Sequence, residues 1–138
     1  RTRLRDTSCR AFVSPFDVRL FADNKQDDEV YHVVQPDLVI VCDKHKLDEK
    51  GCKGAPDLVI EVLSPSTAKK DRVMKFNLYE RAGVKYYWIV DPLNETVEVY
   101  ALKDTRFQIE GVYGKADQVA VGLFEDLSID LEDVFREI

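Results

Sequence analysis

The sequence predicts an α/β (α+β) fold in which a mixed β-sheet packs against one central helix. Two short apolar runs with nearly the same sequence, at 36–43 and 56–63, are typical of strands that are buried on both faces of a sheet. A segment with helical spacing follows the second run, and further strand-like runs follow that segment. Strands on both sides of a single helix favour a mixed sheet.

The residues around the first apolar run predict edge strands and loops. Residues 9–21 alternate loosely between apolar and polar side chains. Because Pro15 among them cannot donate a hydrogen bond to a β-ladder, we expect one or two strands at a sheet edge. Residues 23–29 are polar and predict a loop, and residues 31–34 predict the start of a strand. Between the two apolar runs, the charged stretch 44–54 predicts another loop.

One long helix and several strands are predicted after the second apolar run. Ser66 or Thr67 is suited to cap a helix that runs to about Ala82, and Gly83 suits the position just after a helix end. The remaining runs predict strands at 84–90, 96–102, 107–113 and 119–121, and a short terminal helix at 131–137.

Length and charge limit the classes of protein to which this chain can belong. Its 138 residues are most simply one domain, 1–138, large enough to bury roughly two-thirds of the unfolded surface. The net charge of −6 argues against a protein that coats nucleic acids generally, but it allows a nuclease with locally clustered basic residues. No apolar run approaches the ~20 residues of a membrane span. No Gly-rich phosphate loop supports a Rossmann or P-loop fold.

The cysteines predict reduced thiols and a cytoplasmic location. The chain has three cysteines, Cys9, Cys42 and Cys52, which is an odd number, and none of them has CxxC spacing to another. His32 and His45 stand at no zinc-ligand spacing to them, so we expect both histidines to be ordinary loop or strand-end residues and we expect no zinc site.

Glu61 is a carboxylate inside the apolar run 58–63, where an aliphatic residue is expected. Burying a carboxylate without a partner costs several kcal/mol, so Glu61 should be paired with a cation, protonated or bound to a metal. We favour the metal. The alternative is a carboxylate that lies on an exposed strand face or is paired with Arg or Lys.

Asp37 is the best candidate for a second carboxylate beside Glu61. Asp57 lies on the same strand as Glu61, but four residues at about 3.3 Å each place the two ~13 Å apart. If the two apolar runs are antiparallel neighbours, a register symmetric about their loop places Asp37 opposite residue 62, beside Glu61. Cross-strand neighbours lie about 5 Å apart at Cβ. This spacing suits two carboxylates on one hard divalent cation. For Asp57, a structural role at a turn is favoured.

A positive group is also expected near this pair, because phosphodiester hydrolysis develops negative charge at the phosphate. The nearest basic residues are Lys69, Lys70 and Lys75, on or near the first turns of the predicted helix. Lys75 lies four residues after Asp71 on the same helical face. A simple Asp71–Lys75 pair, worth only a few tenths of a kcal/mol, is therefore the alternative interpretation.

The arrangement resembles the PD-(D/E)XK nuclease superfamily, in which a Pro-Asp sequence and a glutamate in an apolar strand form the motif. More closely, Pro56 to Thr67 resembles the bacterial Uma-type restriction endonuclease family, formerly a domain of unknown function. The other matching positions are Asp71, Lys75, Tyr79, Gly83, Val84 and the run 87–92. The likeness covers roughly residues 10–130.

This resemblance implies a restriction-endonuclease-like core and an endonuclease that depends on Mg²⁺ or Mn²⁺ and acts on DNA. It implies that Asp37 and Glu61 are metal ligands. Two residues after the glutamate, where the superfamily motif has lysine, this chain has Leu63. The catalytic lysine is then expected on the following helix, at Lys75. Weaker candidates for this lysine, and possible phosphate contacts, are Lys69 and Lys70.

The resemblance further implies a homodimer, because superfamily members commonly pair to cut both strands of DNA. The family usually has a further N-terminal helical segment, which we expect this chain to lack. The alternative hypothesis is a catalytically inactive module that keeps the nuclease fold and serves interaction or regulation, since a fold alone does not establish activity. The acidic net charge and Leu63 favour this alternative somewhat.

Overall fold

A six-stranded mixed sheet with a helix packed on one face forms the centre of the protein. The structure, a computed structural model, describes residues 8–22, 32–66, 69–124 and 127–137. In their order across this sheet, the strands are β1 (Arg10–Val13), β4 (Leu38–Val41), β7 (Leu58–Val62), β8 (Tyr86–Asp91), β9 (Thr96–Lys103) and β10 (Arg106–Gly114).

The connection between β7 and β8 makes the sheet mixed. These two strands run parallel, and the other neighbouring pairs in the sheet are antiparallel. Helix α1 (Lys69–Ala82) joins the two parallel strands, because a parallel pair needs a long crossover. The predicted mixed sheet, with a central helix after the Glu61 strand, is therefore confirmed.

Two smaller sheets and a second helix complete the described fold. The four-stranded sheet contains, in order, β3 (His32–Val34), β2 (Val18–Leu20), β6 (Gly51–Lys53) and β5 (Leu47–Asp48). The two-stranded sheet contains β11 (Gln118–Ala120) and β12 (Ser128–Asp130), and α2 (Leu131–Glu137) follows it. None of the described helices has the length and apolarity that crossing a membrane requires.

The elements predicted after Gly83 are observed as β8, β9, β10, β11 and α2, but one prediction for the first part of the chain is wrong. The stretch 44–54 is not a plain loop: it contains a short 3-10 helix and the β5–β6 hairpin. The stretch is mostly charged, and the only apolar cross-strand pair of the hairpin is Leu47 with Cys52, so the sequence shows no strand pattern there. β1 lies at a sheet edge as predicted, but β2 lies between β3 and β6. The loop predicted at 23–29 lies outside the described residues.

Apolar side chains cover both faces of the six-stranded sheet, which explains why the strand sequences are apolar almost without interruption. The buried cluster on the α1 side includes Val39, Val41, Val59, Ile89, Leu78 and Tyr79. The buried cluster on the opposite face includes Ile40, Leu58, Trp88, Val119, Leu131 and Phe135. Because side chains alternate along a strand, Glu61 shares the helix-facing side of β7 with Val59.

β4 and β7 are antiparallel neighbours, which is the condition on which the expected place of Asp37 beside Glu61 depended. Leu38 pairs with Ile60, so one step further along the same register Asp37 faces Glu61. The symmetric register, which placed Asp37 opposite residue 62, is off by one position. The reason is that the connection is no simple hairpin loop, since its β5 and β6 belong to another sheet.

The two copies of Pro-Asp-Leu-Val-Ile make reciprocal hydrogen bonds at the two ends of this strand pair. Asp37 Oδ2 accepts from the backbone N–H of Val62 at 2.7 Å, and Asp57 Oδ1 accepts from the backbone N–H of Cys42 at 2.8 Å. Asp37 is exposed, whereas Asp57 is only 9% exposed and its Oδ2 lies 3.2 Å from the Lys85 ammonium. These contacts give Asp57 a structural role.

The end of α1 is formed as the sequence predicts. Gly83 has a φ of 88°, which favours glycine, and follows the last helical residue. Its N–H donates to the Glu80 carbonyl, and the N–H of Val84 donates to the Tyr79 carbonyl. This pair of bonds is the Schellman motif. At the other end, the cap predicted at Ser66 or Thr67 is not tested, because residues 67 and 68 lie outside the described ranges.

The prediction of reduced thiols is wrong for Cys9 and Cys42, which form a disulfide. Arg10 pairs with Val41 in the antiparallel β1–β4 ladder, so the next position brings the two cysteines face to face. The sequence did not reveal this pairing because the two cysteines are 33 positions apart and no local pattern indicates that β1 and β4 are neighbours. Cys52 keeps a buried thiol, which donates to the Gly54 carbonyl.

We predict that Asp57→Ala lowers the free energy of unfolding by about 1–3 kcal/mol, because the N–H of Cys42 loses its acceptor at a partly buried position. Urea unfolding measures this change. Asp37→Ala is the matched control: its aspartate accepts the equivalent bond at an exposed position, where water can replace it, so its cost should be smaller. If Asp57→Ala and Asp37→Ala lower the free energy of unfolding equally, the distinction between a structural Asp57 and an exposed Asp37 is wrong.

Candidate active site

Glu61 lies near the end of β7 with its carboxylate held against α1. The residue is 7% exposed. The Tyr79 hydroxyl donates a hydrogen bond to Oε2 at 2.7 Å, and the Lys75 ammonium lies 3.3 Å from the same oxygen. Burial raises the pKa of Glu61 above its ordinary value, although Tyr79 and Lys75 offset part of this effect. Glu61 is thus a paired carboxylate that is still costly to ionise.

Asp37 is the second carboxylate of the site, on the neighbouring strand. Burial is the larger cause of the raised pKa of Glu61, and the negative charge of Asp37 is a smaller one. The two carboxylates therefore interact electrostatically. Asp37 itself is exposed, and Val62 donates to its Oδ2. The structure therefore brings together the two carboxylates that the sequence named, one deep and one at the surface.

Lys75 and Tyr79 reach Glu61 together because they are four residues apart, on one face of α1. The Lys75 side chain is 43% exposed, so its ammonium borders both Glu61 and solvent. The ion pair of Lys75 is with Glu61, not with Asp71, which was the alternative interpretation. Lys75 is thus the lysine of the predicted set that the fold places at the carboxylate pair.

Lys69 and Lys70 are not brought to Glu61. Both are exposed, and neither forms an ion pair with a described residue. Lys69 lines a separate recess with Arg72 and Tyr100. Their predicted contacts with phosphate stay predictions.

A cavity of about 280 Å³ opens beside Glu61. Its wall is formed by Glu61, Val62, Leu63, Ser66, Asp71, Arg72, Met74, Lys75 and Tyr87. Leu63 stands at the position where the superfamily motif has lysine, and it lines the same cavity as Lys75. Position 63 and Lys75 therefore border the same space, and the role expected for Lys75 stays a prediction.

Two residues of the site were not identified as functional from the sequence. Tyr79 stands out in the sequence only as part of the family likeness, although its spacing of four residues from Lys75 is a usable signal. Arg72 has no predicted role, yet it lines the cavity with Glu61 and Lys75. Its spacing of three residues before Lys75 places both side chains on one helical face.

The two carboxylates suit one hard divalent cation. Tyr79 and Lys75 engage Oε2 of Glu61, and Val62 engages Oδ2 of Asp37. Among the described residues, the other oxygen of each carboxylate has no hydrogen-bond or ion-pair partner. In the same part of the chain, no cluster of three or more His, Cys, Asp or Glu could hold a metal. Two carboxylates completed by water and a phosphate oxygen are the donor set that Mg²⁺ commonly uses.

The fold and this site define the chain as a protein of the restriction-endonuclease-like class, with two acidic residues on adjacent strands and a lysine beside them. The model of the family Uma2, described as "Putative restriction endonuclease", matches residues 1–132. The chain belongs to this family, and the resemblance seen in its sequence is confirmed. No curated protein matches the sequence.

A solved structure supports the fold independently. It is the crystal structure of a "putative nuclease belonging to DUF820" from Anabaena variabilis, with a TM-score of 0.72 and 21% sequence identity. The alignment covers 98% of this chain and 73% of the other. At this identity the likeness concerns the fold, and it agrees with the restriction-endonuclease-like core.

We predict that in EDTA the stability of Glu61→Gln relative to wild type increases as the pH rises from about 4, the ordinary glutamate pKa, through the raised pKa of Glu61. The folded-state pKa of Glu61 is raised, so the folded protein binds this proton more tightly than the unfolded chain does. Wild type therefore loses stability as the pH rises from the ordinary pKa of glutamate to the raised pKa of Glu61. Above the raised pKa the lost stability is not regained. The neutral glutamine does not titrate.

Thermal unfolding at several pH values measures this difference. Glu110→Gln is the matched control, because it makes the same change at an exposed glutamate on β10 whose 3.8 Å ion pair with Lys103 lies at the surface, so its effect on stability should be small. A Glu61→Gln protein that loses stability relative to wild type with rising pH would show that Glu61 is a stabilising ion-pair partner and not a strained carboxylate.

Proposed function

We propose that this protein is a metal-dependent endonuclease that hydrolyses phosphodiester bonds in DNA. The observation that carries the proposal is the convergence of buried Glu61, Asp37 on the neighbouring strand and the ammonium of Lys75 at one end of the sheet. Family membership supports a nuclease. The proposal adds the metal, the substrate and the roles of the three residues.

Asp37 and Glu61 would hold Mg²⁺ or Mn²⁺ through the oxygens that no described residue engages. When bound, such an ion stabilises negative charge on phosphate oxygens and lowers the pKa of a coordinated water. The Tyr79 hydroxyl holds the carboxylate of Glu61, and the Val62 N–H holds that of Asp37. Both ligands are thus oriented in advance by hydrogen bonds from their surroundings.

Lys75 would act on the scissile phosphate. Its ammonium lies 3.3 Å from Glu61 on the cavity wall, and its side chain is partly exposed. Because the side chain also borders the cavity, we expect its ammonium to turn from Glu61 toward a phosphate oxygen bound there. Its positive charge there stabilises the charge that develops on the phosphate, or orients the attacking water.

The charge distribution supports an anionic substrate despite the net charge of −6. The first two turns of α1 carry four basic residues and one acidic residue. The basic residues are Lys69, Lys70, Arg72 and Lys75. This local excess of positive charge lies next to the carboxylate pair, where DNA phosphates would have to approach.

The proposal includes a homodimer, because cutting both strands of a duplex calls for two active sites. The proposed location is the cytoplasm, which agrees with DNA as the substrate. The Cys9–Cys42 disulfide is an argument against that location, because disulfides are rare in the reducing cytosol.

We predict that the wild-type protein nicks supercoiled plasmid only when Mg²⁺ or Mn²⁺ is present, and that Asp37→Asn and Glu61→Gln each lower the rate at least about a hundredfold. Each substitution removes a negative ligand while keeping the side-chain shape. Gel electrophoresis follows the nicking, and calorimetric titration with Mn²⁺ follows binding of the metal. Glu110→Gln, at an exposed glutamate of β10, should keep wild-type activity.

The outcomes separate the two hypotheses. Equal activity in Glu61→Gln would remove Glu61 from the mechanism. A wild-type protein that cuts neither plasmid nor short duplexes in either metal would favour the inactive interaction or regulatory module.

We predict that Lys75→Met lowers the nicking rate by about 10²–10³-fold, the usual loss when one group that stabilises the transition state is removed. Mn²⁺ should bind Lys75→Met at least as tightly as wild type, because a competing positive charge beside Glu61 is gone. Lys75→Arg keeps the charge and should retain part of the activity. A Lys75→Met protein that loses Mn²⁺ binding together with activity would show that Lys75 serves only to hold Glu61 in place.

A further inference from the structure

Arg72 is a basic residue of the cavity that the proposed mechanism does not use. It lies on α1 three residues before Lys75 and lines the cavity that contains Glu61. It also lines an adjoining recess of about 280 Å³ on its other side. That recess is formed by Lys69, Arg72, Val73, Phe76, Ile89, Glu98 and Tyr100. Arg72 therefore stands on the wall shared by two open spaces.

The guanidinium of Arg72 has no partner within the described part of the chain. It forms no hydrogen bond or ion pair with a described residue, and its Nε is buried without an acceptor. Withdrawing a charged group from water without a partner is unfavourable. A half-buried arginine at a cavity, with a guanidinium that no described residue pairs, is thus suited to receive an anion from outside the protein.

The carboxylates near Arg72 are occupied by other donors. Asp91, whose charge interacts with that of Arg72, accepts hydrogen bonds from the backbone of Leu93 and from Asn94. Glu98, in the adjoining recess, accepts from the Tyr100 hydroxyl at 2.8 Å. Neither carboxylate forms an ion pair with Arg72, and among the described residues no other carboxylate does.

We propose that Arg72 binds a phosphate of the DNA strand that flanks the scissile phosphate, at the border between the two recesses. This inference rests on the proposed function, because it assigns Lys75 to the scissile phosphate in the first cavity. A guanidinium can donate two parallel hydrogen bonds to one phosphate, which an ammonium cannot do with the same geometry. The partly buried stem of Arg72 also lowers the entropy lost on binding, in contrast to exposed Lys69 and Lys70.

The experiment measures binding of a fluorescent DNA duplex to the full chain by anisotropy, with Ca²⁺ in place of Mg²⁺ and at several salt concentrations. Arg72→Gln should weaken binding about tenfold and reduce the slope of log K against log salt by about one, as expected when one phosphate contact is lost. Mn²⁺ binding to the carboxylate pair should be unchanged, because Arg72 touches neither carboxylate in the structure.

Arg81→Gln is the matched control. It makes the same change of charge on the same helix, at the far end, where Arg81 packs over Phe21. Its affinity and salt slope should stay close to those of wild type. If Arg72→Gln behaves as Arg81→Gln does while wild type binds DNA, the inference about Arg72 is wrong and the proposed function stands.

Two further outcomes keep the test decisive. If wild type binds no DNA, the proposed function itself fails, independently of Arg72. Thermal unfolding shows whether Arg72→Gln folds. If it does not, Arg72→Lys is the second variant to test. It keeps the charge but loses the paired donors, so we expect weaker binding with an unchanged salt slope. Wild-type affinity in Arg72→Lys would overturn the assignment of a paired phosphate contact.

Discussion

The pairing of β4 with β7 is the constraint on which the rest of the site depends. It places Asp37 across from Glu61, and its two ends are held by the reciprocal bonds of Asp37 to Val62 and of Asp57 to Cys42. One repeated pentapeptide thus produces two aspartates with different surroundings. The copy at the buried end is a structural contact, whereas the copy at the open end lies beside Glu61 with one oxygen that no described residue engages.

The burial of Glu61 has opposite consequences for folding and for the proposed chemistry. Taking a carboxylate from water into the interface between β7 and α1 raises its pKa and disfavours its charged form. A stable fold alone would be better served by an aliphatic residue at this position. The Tyr79 hydroxyl and the Lys75 ammonium offset part of the cost. An added cation would offset more, so the same burial that weakens the fold favours a bound metal.

Helix α1 supplies most of the groups that surround the carboxylate pair. Its spacing places Arg72, Lys75 and Tyr79 along one side, so that a tyrosine holds Glu61, a lysine borders the cavity and an arginine reaches the next recess. A lysine at position 63 would come from the residue that directly follows β7. Because residues 63 and 75 line the same cavity, the helix can provide the positive charge without any change in the sheet.

The sequence by itself predicted the mixed sheet, its central helix and the strands on both sides of that helix, and it singled out the two carboxylates. These features follow from local patterns, namely short apolar runs, a helix closed by Gly83 and one glutamate out of place in a strand. Only the tertiary structure decided the one-residue register that puts Asp37 opposite Glu61. It likewise decided the Cys9–Cys42 disulfide, the central position of β2 and the recruitment of Arg72 to the cavity. Each of these depends on contacts between segments distant in sequence, whose alignment is set by how the sheets pack and not by any local pattern.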